Sequence, residues 1–188
     1  MRIIAGRLRG RSLAAPAGLD VRPTADRVRE SLFNVLAHND YGPDETPLPQ
    51  GVRVIDAFAG TGALGFEALS RGAQHVTFFE NDATAHRALH ANAAALGVTG
   101  EIAIVPSDAT RPGPSLGAAA LAFLDPPYDS GLAAPALAAF AARGWLTDGA
   151  IAVVELAAKE AFSPPIGFET VDARRYGAAR LIFLRHSP

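Results

Sequence analysis

From Val52 onward, short apolar runs alternate with longer stretches of helical periodicity. The runs are Val52 to Phe58, His75 to Glu80, Ile102 to Pro106, Leu121 to Leu124 and Ile151 to Leu156. Each is strand-length and bounded by turn residues, whereas the alanine-rich segments Ala83 to Leu96 and Leu132 to Ala142 suit helices. This alternation predicts βαβ units and a parallel sheet covered on both faces. The end of the chain departs from it: Glu169 to Arg174 and Leu181 to Arg185 flank Tyr176-Gly177 and predict two terminal strands joined by a turn. Ahead of Val52 the pattern differs again. Arg2 to Leu13 mixes apolar and basic residues, broken by Gly6 and Gly10, and predicts a short hairpin or an arm. Pro23-Thr24 opens a helix with Thr24 as its expected N-cap, Asp26 in the first turn, and Val28, Leu32, Val35 and Leu36 on one face; it stops near His38. Asn39 to Gln50 is rich in proline, glycine and acid. The expected organisation is therefore a basic N-terminal piece at 1–38, a linker at 39–50 and an α/β domain at 51–188.

With 188 residues, 49% hydrophobic and 19% charged, the chain can bury one sizeable core. No apolar run approaches the roughly 20 residues that span a bilayer, and the opening lacks a secretory signal, so no membrane partner and a cytoplasmic location are expected. The absence of cysteine excludes disulfides and thiolate zinc sites; His86 and His90 share a helix face without a convincing third ligand, so no metal is expected. The net charge of -2 conceals a basic N-terminus carrying Arg2, Arg7, Arg9, Arg11, Arg22, Arg27 and Arg29. Lys159 is the only lysine, so the positive charge is almost wholly guanidinium, which suits bidentate phosphate contacts. Apart from Arg29, these are candidate RNA contacts; Arg22, Thr24 and Arg27 alternatively fold over a cofactor carboxylate.

Gly60, Gly62 and Gly65 spell G-x-G-x-x-G between a predicted strand and helix, where missing side chains permit a tight turn and close ligand approach. Glu80 ends the next run, where a carboxylate can accept from both ribose hydroxyls, and Asp108 after the third run can accept from an adenine amino group. Phe58, Ala59 and Thr61 in the turn, with Asn81 and Ala109 beside the acids, complete the candidate cofactor set. A nicotinamide dinucleotide fits the same spacing. Asp56, just before the glycines, favours S-adenosylmethionine, because a carboxylate attracts an α-amino group and repels a pyrophosphate. The other reading of Asp56 is a residue that merely caps the following helix.

The tetrapeptide Asp125-Pro126-Pro127-Tyr128 follows an apolar run, at the strand end where open α/β sheets bind ligands. The prolines stiffen the turn and leave their carbonyls as acceptors without competing amides. An exocyclic amino group on a base is a poor nucleophile because its lone pair is delocalised. Hydrogen bonds to Asp125 and the Pro126 carbonyl favour a pyramidal nitrogen, while Tyr128 stacks on an extruded base. The two motifs together predict methyl transfer to nitrogen.

In this order the residues resemble the bacterial 16S rRNA guanine-N2 methyltransferases of the RsmD family. The resemblance spans essentially the whole chain: Arg2-Ile3-Ile4-Ala5-Gly6 with Arg9-Gly10-Arg11, Arg22-Pro23-Thr24, Arg27-Val28-Arg29-Glu30 with Leu32-Phe33-Asn34, the glycine turn and the clamp. It implies a class I methyltransferase fold, with a Rossmann-like seven-stranded sheet and an antiparallel terminal hairpin. It also implies S-adenosylmethionine as donor and one guanine of 16S rRNA, in an assembled or nearly assembled small subunit, as acceptor; a monomer is expected. Departures are the acidic, proline-rich Asp44 to Gln50 connection and the lack of lysine in Ala83 to Leu96. Two alternatives remain. A DNA adenine or cytosine amino methyltransferase shares both motifs, although about sixty residues after the clamp leave no room for a target-recognition domain. A noncatalytic RNA-binding ribosome-assembly protein retains the fold.

Overall fold

The computed structural model describes residues 1–15 and 23–187. Its strands are β1 Arg53–Ala57, β2 His75–Phe79, β3 Ile102–Val105, β4 Ala119–Leu124, β5 Leu146–Ala157, β6 Phe168–Tyr176 and β7 Ala179–His186. They form one seven-stranded sheet in the order β3-β2-β1-β4-β5-β7-β6. The first five strands run parallel, and β7 lies antiparallel between β5 and β6. The helices are α1 Pro23–His38, α2 Ala63–Ser70, α3 Ala83–Leu96 and α4 Ala133–Ala142.

Side-chain alternation divides the buried residues between the two faces of the sheet. Val54, Phe78, Phe123 and Val153 pack with Leu32, Phe33, Phe66 and Leu89, contributed by α1, α2 and α3. Ile55, Phe79, Leu124 and Val154 pack on the other face with Leu137 and Phe140 of α4 and with Trp145. Trp145 and Phe140 are core residues, and the Trp145 indole N–H donates to the Gly113 carbonyl at 2.9 Å.

Three boundaries differ from expectation. Helix α1 begins at Pro23, where proline's missing N–H costs no intrahelical bond, so Thr24 lies inside the first turn and not at the cap. Strand β5 starts at Leu146, five residues ahead of its apolar run; the pairing with β4 shifts between Ala119↔Leu146 and Leu121↔Ile151. That irregularity takes up Thr147-Asp148-Gly149, which reads as a turn in sequence. Leu132 precedes α4 as its N-cap residue.

The N-terminal piece shares its core with the sheet. Arg2 pairs with Ser12 in a short antiparallel hairpin, closed by Ile3 N–H to Arg11 O at 3.0 Å and Gly10 N–H to Ile3 O at 2.9 Å. Ile3, Leu8 and Leu13 are buried in the same cluster as Val28, Leu36 and Leu48. Gly6 makes the close approach possible: its φ is +81°, and a Cβ there would stand 1.8 Å from the Ser70 carbonyl oxygen. Arg7 N–H donates to that oxygen at 2.8 Å and Leu8 N–H to Ser70 Oγ at 2.9 Å.

One turn earlier on α2, Glu67 is fully buried. It accepts from Ile4 N–H at 2.8 Å, Ala5 N–H at 3.1 Å and Arg71 Nε at 2.7 Å. The buried Arg29 guanidinium lies 3.8 Å away and donates to the Arg2 carbonyl at 2.8 Å. A buried carboxylate is tolerated only with such partners. At the far edge, Tyr176 and Ser31 hydroxyls meet at 2.6 Å and tie β6 to α1.

Candidate active site

The strand order reverses at β1: β2 lies on one side and β4 on the other. Beyond the carboxyl ends of these strands the two following loops diverge and leave a crevice, where open α/β sheets hold ligands. A cleft of about 470 Å³ occupies this place, lined chiefly by Phe58, Glu80, Asn81, Ala109, the Asp125 to Tyr128 clamp and Glu155. Phe58 at the head of the glycine turn, the second-strand acid and the clamp thus border one cavity, while Gly60, Gly62 and Gly65 are not among its lining residues.

The glycine turn is fixed by backbone hydrogen bonds. Phe58 holds a left-handed φ of 61°, a strained conformation of the kind found at functional turns. Ala59 N–H then donates to the Phe79 carbonyl at 3.0 Å, and Gly60 N–H donates to Glu80 Oε2 at 2.8 Å. The other Glu80 oxygen accepts from Asp82 N–H at 2.7 Å. Two amides therefore orient the Glu80 carboxylate at the rim. Thr61 and Gly62 lie just behind, both buried; the Thr61 carbonyl accepts from the buried Asn92 side chain at 3.1 Å. Asn92 also exchanges hydrogen bonds with Ala14, joining α3, the arm and the glycine turn.

Asp56 is buried beneath the turn, and its Oδ2 accepts from Gly65 N–H in α2 at 2.8 Å. It therefore serves as a helix-terminal acceptor and does not line the cleft. Burial raises its pKa well above the ordinary value; the Gly65 amide opposes the shift, while Asp125 and Glu80 add to it. Asp108 is held differently, by the Thr110 amide and hydroxyl, both at 2.8 Å, and these bonds lower its pKa.

Asp125 is open to solvent through the cleft mouth and crowded by protein elsewhere. This crowding, followed by repulsion from Glu155, pushes its carboxyl up to about 7. Burial likewise raises Glu155, opposed by the Tyr128 hydroxyl, which donates to Glu155 Oε1 at 3.4 Å. The ring of Tyr128 is half exposed at the mouth. Among the described residues, no arginine, lysine or histidine lines the cleft. Its carboxylates suit a cationic or donor-rich ligand and oppose a pyrophosphate.

The basic residues divide. Arg2, Arg9 and Arg27 line a second groove of about 240 Å³ between the hairpin and α1, with Asp26 and Glu30 beside them. Arg7 pairs instead with Glu101, and Arg11 donates to the Ala95 carbonyl. Arg22 lies outside the described residues. Arg27 is in the second groove and not among the cleft-lining residues.

A family model described as conserved hypothetical protein 95 matches residues 1–185. Ribosomal RNA small subunit methyltransferase D of Escherichia coli K12 is 40% identical over 156 residues, covering 82% of this chain and 74% of that protein. The chain belongs to the RsmD family. The solved structure of yhhF from Escherichia coli covers 100% of this RsmD-family chain and 98% of its own, with a TM-score of 0.81 and 34% identity. Magnesium protoporphyrin IX methyltransferase from Synechocystis, solved with bound S-adenosylmethionine, shares the fold at TM-score 0.62 and 15% identity, over 87% and 80% of the two chains. The RsmD-family sheet seen here is that of class I methyltransferases, with the expected antiparallel terminal hairpin.

Phe79, Ser107 and Glu155 line the cleft but carry no distinctive sequence signal. Phe79 reads as an ordinary core residue and Ser107 as a loop residue. Glu155 reads in sequence as a strand-end acid or a substrate contact. The register of β5 against β4 is the signal that places it beside Asp125, and sequence periodicity does not give that register.

Proposed function

We propose that this chain transfers a methyl group from S-adenosylmethionine to the exocyclic N2 of one guanine in 16S rRNA, acting as a cytoplasmic monomer on the assembled or nearly assembled small subunit. RsmD-family membership supports an rRNA acceptor. The observation that carries the chemistry is the Asp125 to Tyr128 clamp opening into the same cleft as the amide-anchored Glu80.

The residues suit the donor. Glu80 is oriented to accept from ribose hydroxyls, Asn81 and Ala109 border the same side, and the surrounding carboxylates favour a cation. When bound, the cofactor supplies a methyl group on a positively charged sulfur. Asp125 and the Pro126 carbonyl accept the two hydrogens of the target amino group, withdrawing its lone pair from conjugation and stabilising positive charge on nitrogen. Tyr128 stacks on the extruded base and fixes the angle of attack. Asp125 would take the proton that the methylated nitrogen sheds. Arg2, Arg9 and Arg27 hold backbone phosphates in the second groove.

The test is incubation with radiolabelled S-adenosylmethionine and small subunits, free 16S rRNA or duplex DNA from cells lacking the modification, followed by nucleoside mapping. Label as N2-methylguanosine at one site in the subunits is expected. Label in DNA, or none despite cofactor binding, would overturn the reading.

A further inference from the structure

Strands β4 and β5 are neighbours, with Ala122↔Ala152, Phe123↔Val153 and Leu124↔Val154 in register. The next residue on each is an acid, Asp125 on one and Glu155 on the other. Both line the cleft. Like charges on adjacent strands are unfavourable; the protein crowded around them raises both carboxyls, and repulsion from Glu155 adds to the rise at Asp125. No basic side chain among the described residues lines the cleft to offset them. Two acceptors set side by side with no basic side chain to neutralise them call for a ligand that presents adjacent hydrogens.

Among the four RNA bases, the Watson–Crick edge of guanine alone carries a ring N–H next to an amino group. Adenine and cytosine place a ring nitrogen lone pair beside theirs, and uracil has a ring N–H but no amino group. We infer that Glu155 selects the base: its carboxylate accepts the guanine N1–H while Asp125 holds the N2 amino group. This rests on the guanine-N2 reading above. Tyr128 joins the two functions, because its hydroxyl touches Glu155 while its ring lies at the cleft mouth. A base with a lone pair at N1 leaves a carboxylate facing a lone pair, and a site built for a hydrogen bond rejects an analogue that lacks it.

The test uses the full chain and small subunits reconstituted with 16S rRNA carrying either guanine or 2-aminopurine at the mapped target. 2-Aminopurine keeps the 2-amino group and lacks the N1 hydrogen. Wild type should methylate guanine and strongly disfavour 2-aminopurine. E155Q, whose amide can present either donor or acceptor, should lose about 10- to 100-fold in kcat/KM on guanine, the worth of one charged hydrogen bond. It should also lose most of the discrimination while still binding S-adenosylmethionine. E155D keeps the acceptor one methylene further back and should retain the preference for guanine at reduced kcat. Undiminished discrimination in E155Q, or equal loss in E155D and E155Q, would overturn the role of Glu155. Failure of wild type to yield N2-methylguanosine would instead overturn the underlying function.

Discussion

Replacing Gly65 with alanine sets two effects against each other. In a helix, alanine is favoured over glycine by at most about 1 kcal/mol. Gly65 lies in the first turn of α2, directly over β2, and an added Cβ would fall 2.2 Å from Phe78 Cε1, 2.7 Å from its Cζ and 2.9 Å from Val76 Cγ1. Ordinary carbon contacts are about 3.5–4.0 Å, so the overlap exceeds 1 Å. The Phe78 ring cannot swing aside easily: it is fully buried and packs on Phe66 with ring centroids 4.9 Å apart. Overpacking of this kind costs about 1–3 kcal/mol. If α2 lifts to relieve it, the Gly65 amide loses Asp56, which costs about 1–3 kcal/mol for a buried polar group left unpaired. The net expectation for Gly65→Ala is a loss of about 2–4 kcal/mol, or a melting temperature lower by about 4–16 °C for a chain of this size. Urea and thermal unfolding of the variant measure it. Gly100, with open space where its Cβ would sit, is the control and should change stability by no more than about 0.5 kcal/mol as alanine. A Gly65→Ala protein as stable as wild type would refute the steric argument and leave helix propensity in charge.

Glu67→Gln should destabilise by about 3 kcal/mol or more, because it takes the buried counter-charge from Arg71 and leaves the buried Arg29 with Asp26 alone; a loss under about 1 kcal/mol in urea unfolding would show that the network is replaceable. The acceptor role of Asp125 requires its ionised form, so kcat/KM should rise with pH through about 7 and then level; a flat profile from pH 5 to 8 counts against it. The same raised pKa means the native state holds this proton more tightly than the unfolded chain. Its contribution to stability therefore falls as pH climbs from the ordinary carboxylate range to about 7, and thermal melts of Asp125→Asn should lack that part of the decline. Arg9→Ala or Arg27→Ala should weaken small-subunit binding and reduce its salt dependence by about one counterion for each phosphate no longer neutralised, with cofactor affinity unchanged; equal salt slopes would remove these residues from the RNA interface.

The helix Ala83–Leu96 was legible to the residue because its ends carry their own stop signals: the Asp82 side chain accepts from Thr84 and Ala85 amides, and Gly97 turns left-handed at φ 73°. The glycine turn and the clamp were legible for a related reason, since each is a local sequence with local geometry. Glu155 and Phe79 were not, because their place in the cleft depends on strands brought together by crossovers. Arg7 and Arg11 look like free cations in the sequence, yet Glu101 and the Ala95 carbonyl engage them across about ninety residues of chain. Glu67 is the sharpest divergence. An acid in a short helix reads as solvated until the hairpin that covers it is known.

Helix α2 joins two ends with different duties. Its amino end grows out of the glycine turn beside the cleft, and its carboxyl end, through Glu67 and Ser70, is bonded to the hairpin that carries Arg2 and Arg9. Eight residues of helix are about 12 Å long and barely compressible. On the proposed reading the helix is a ruler: a nucleic-acid backbone gripped at the hairpin would stand at a set distance from the reacting nitrogen, and the choice of nucleotide along the strand would become a matter of length as well as of base chemistry.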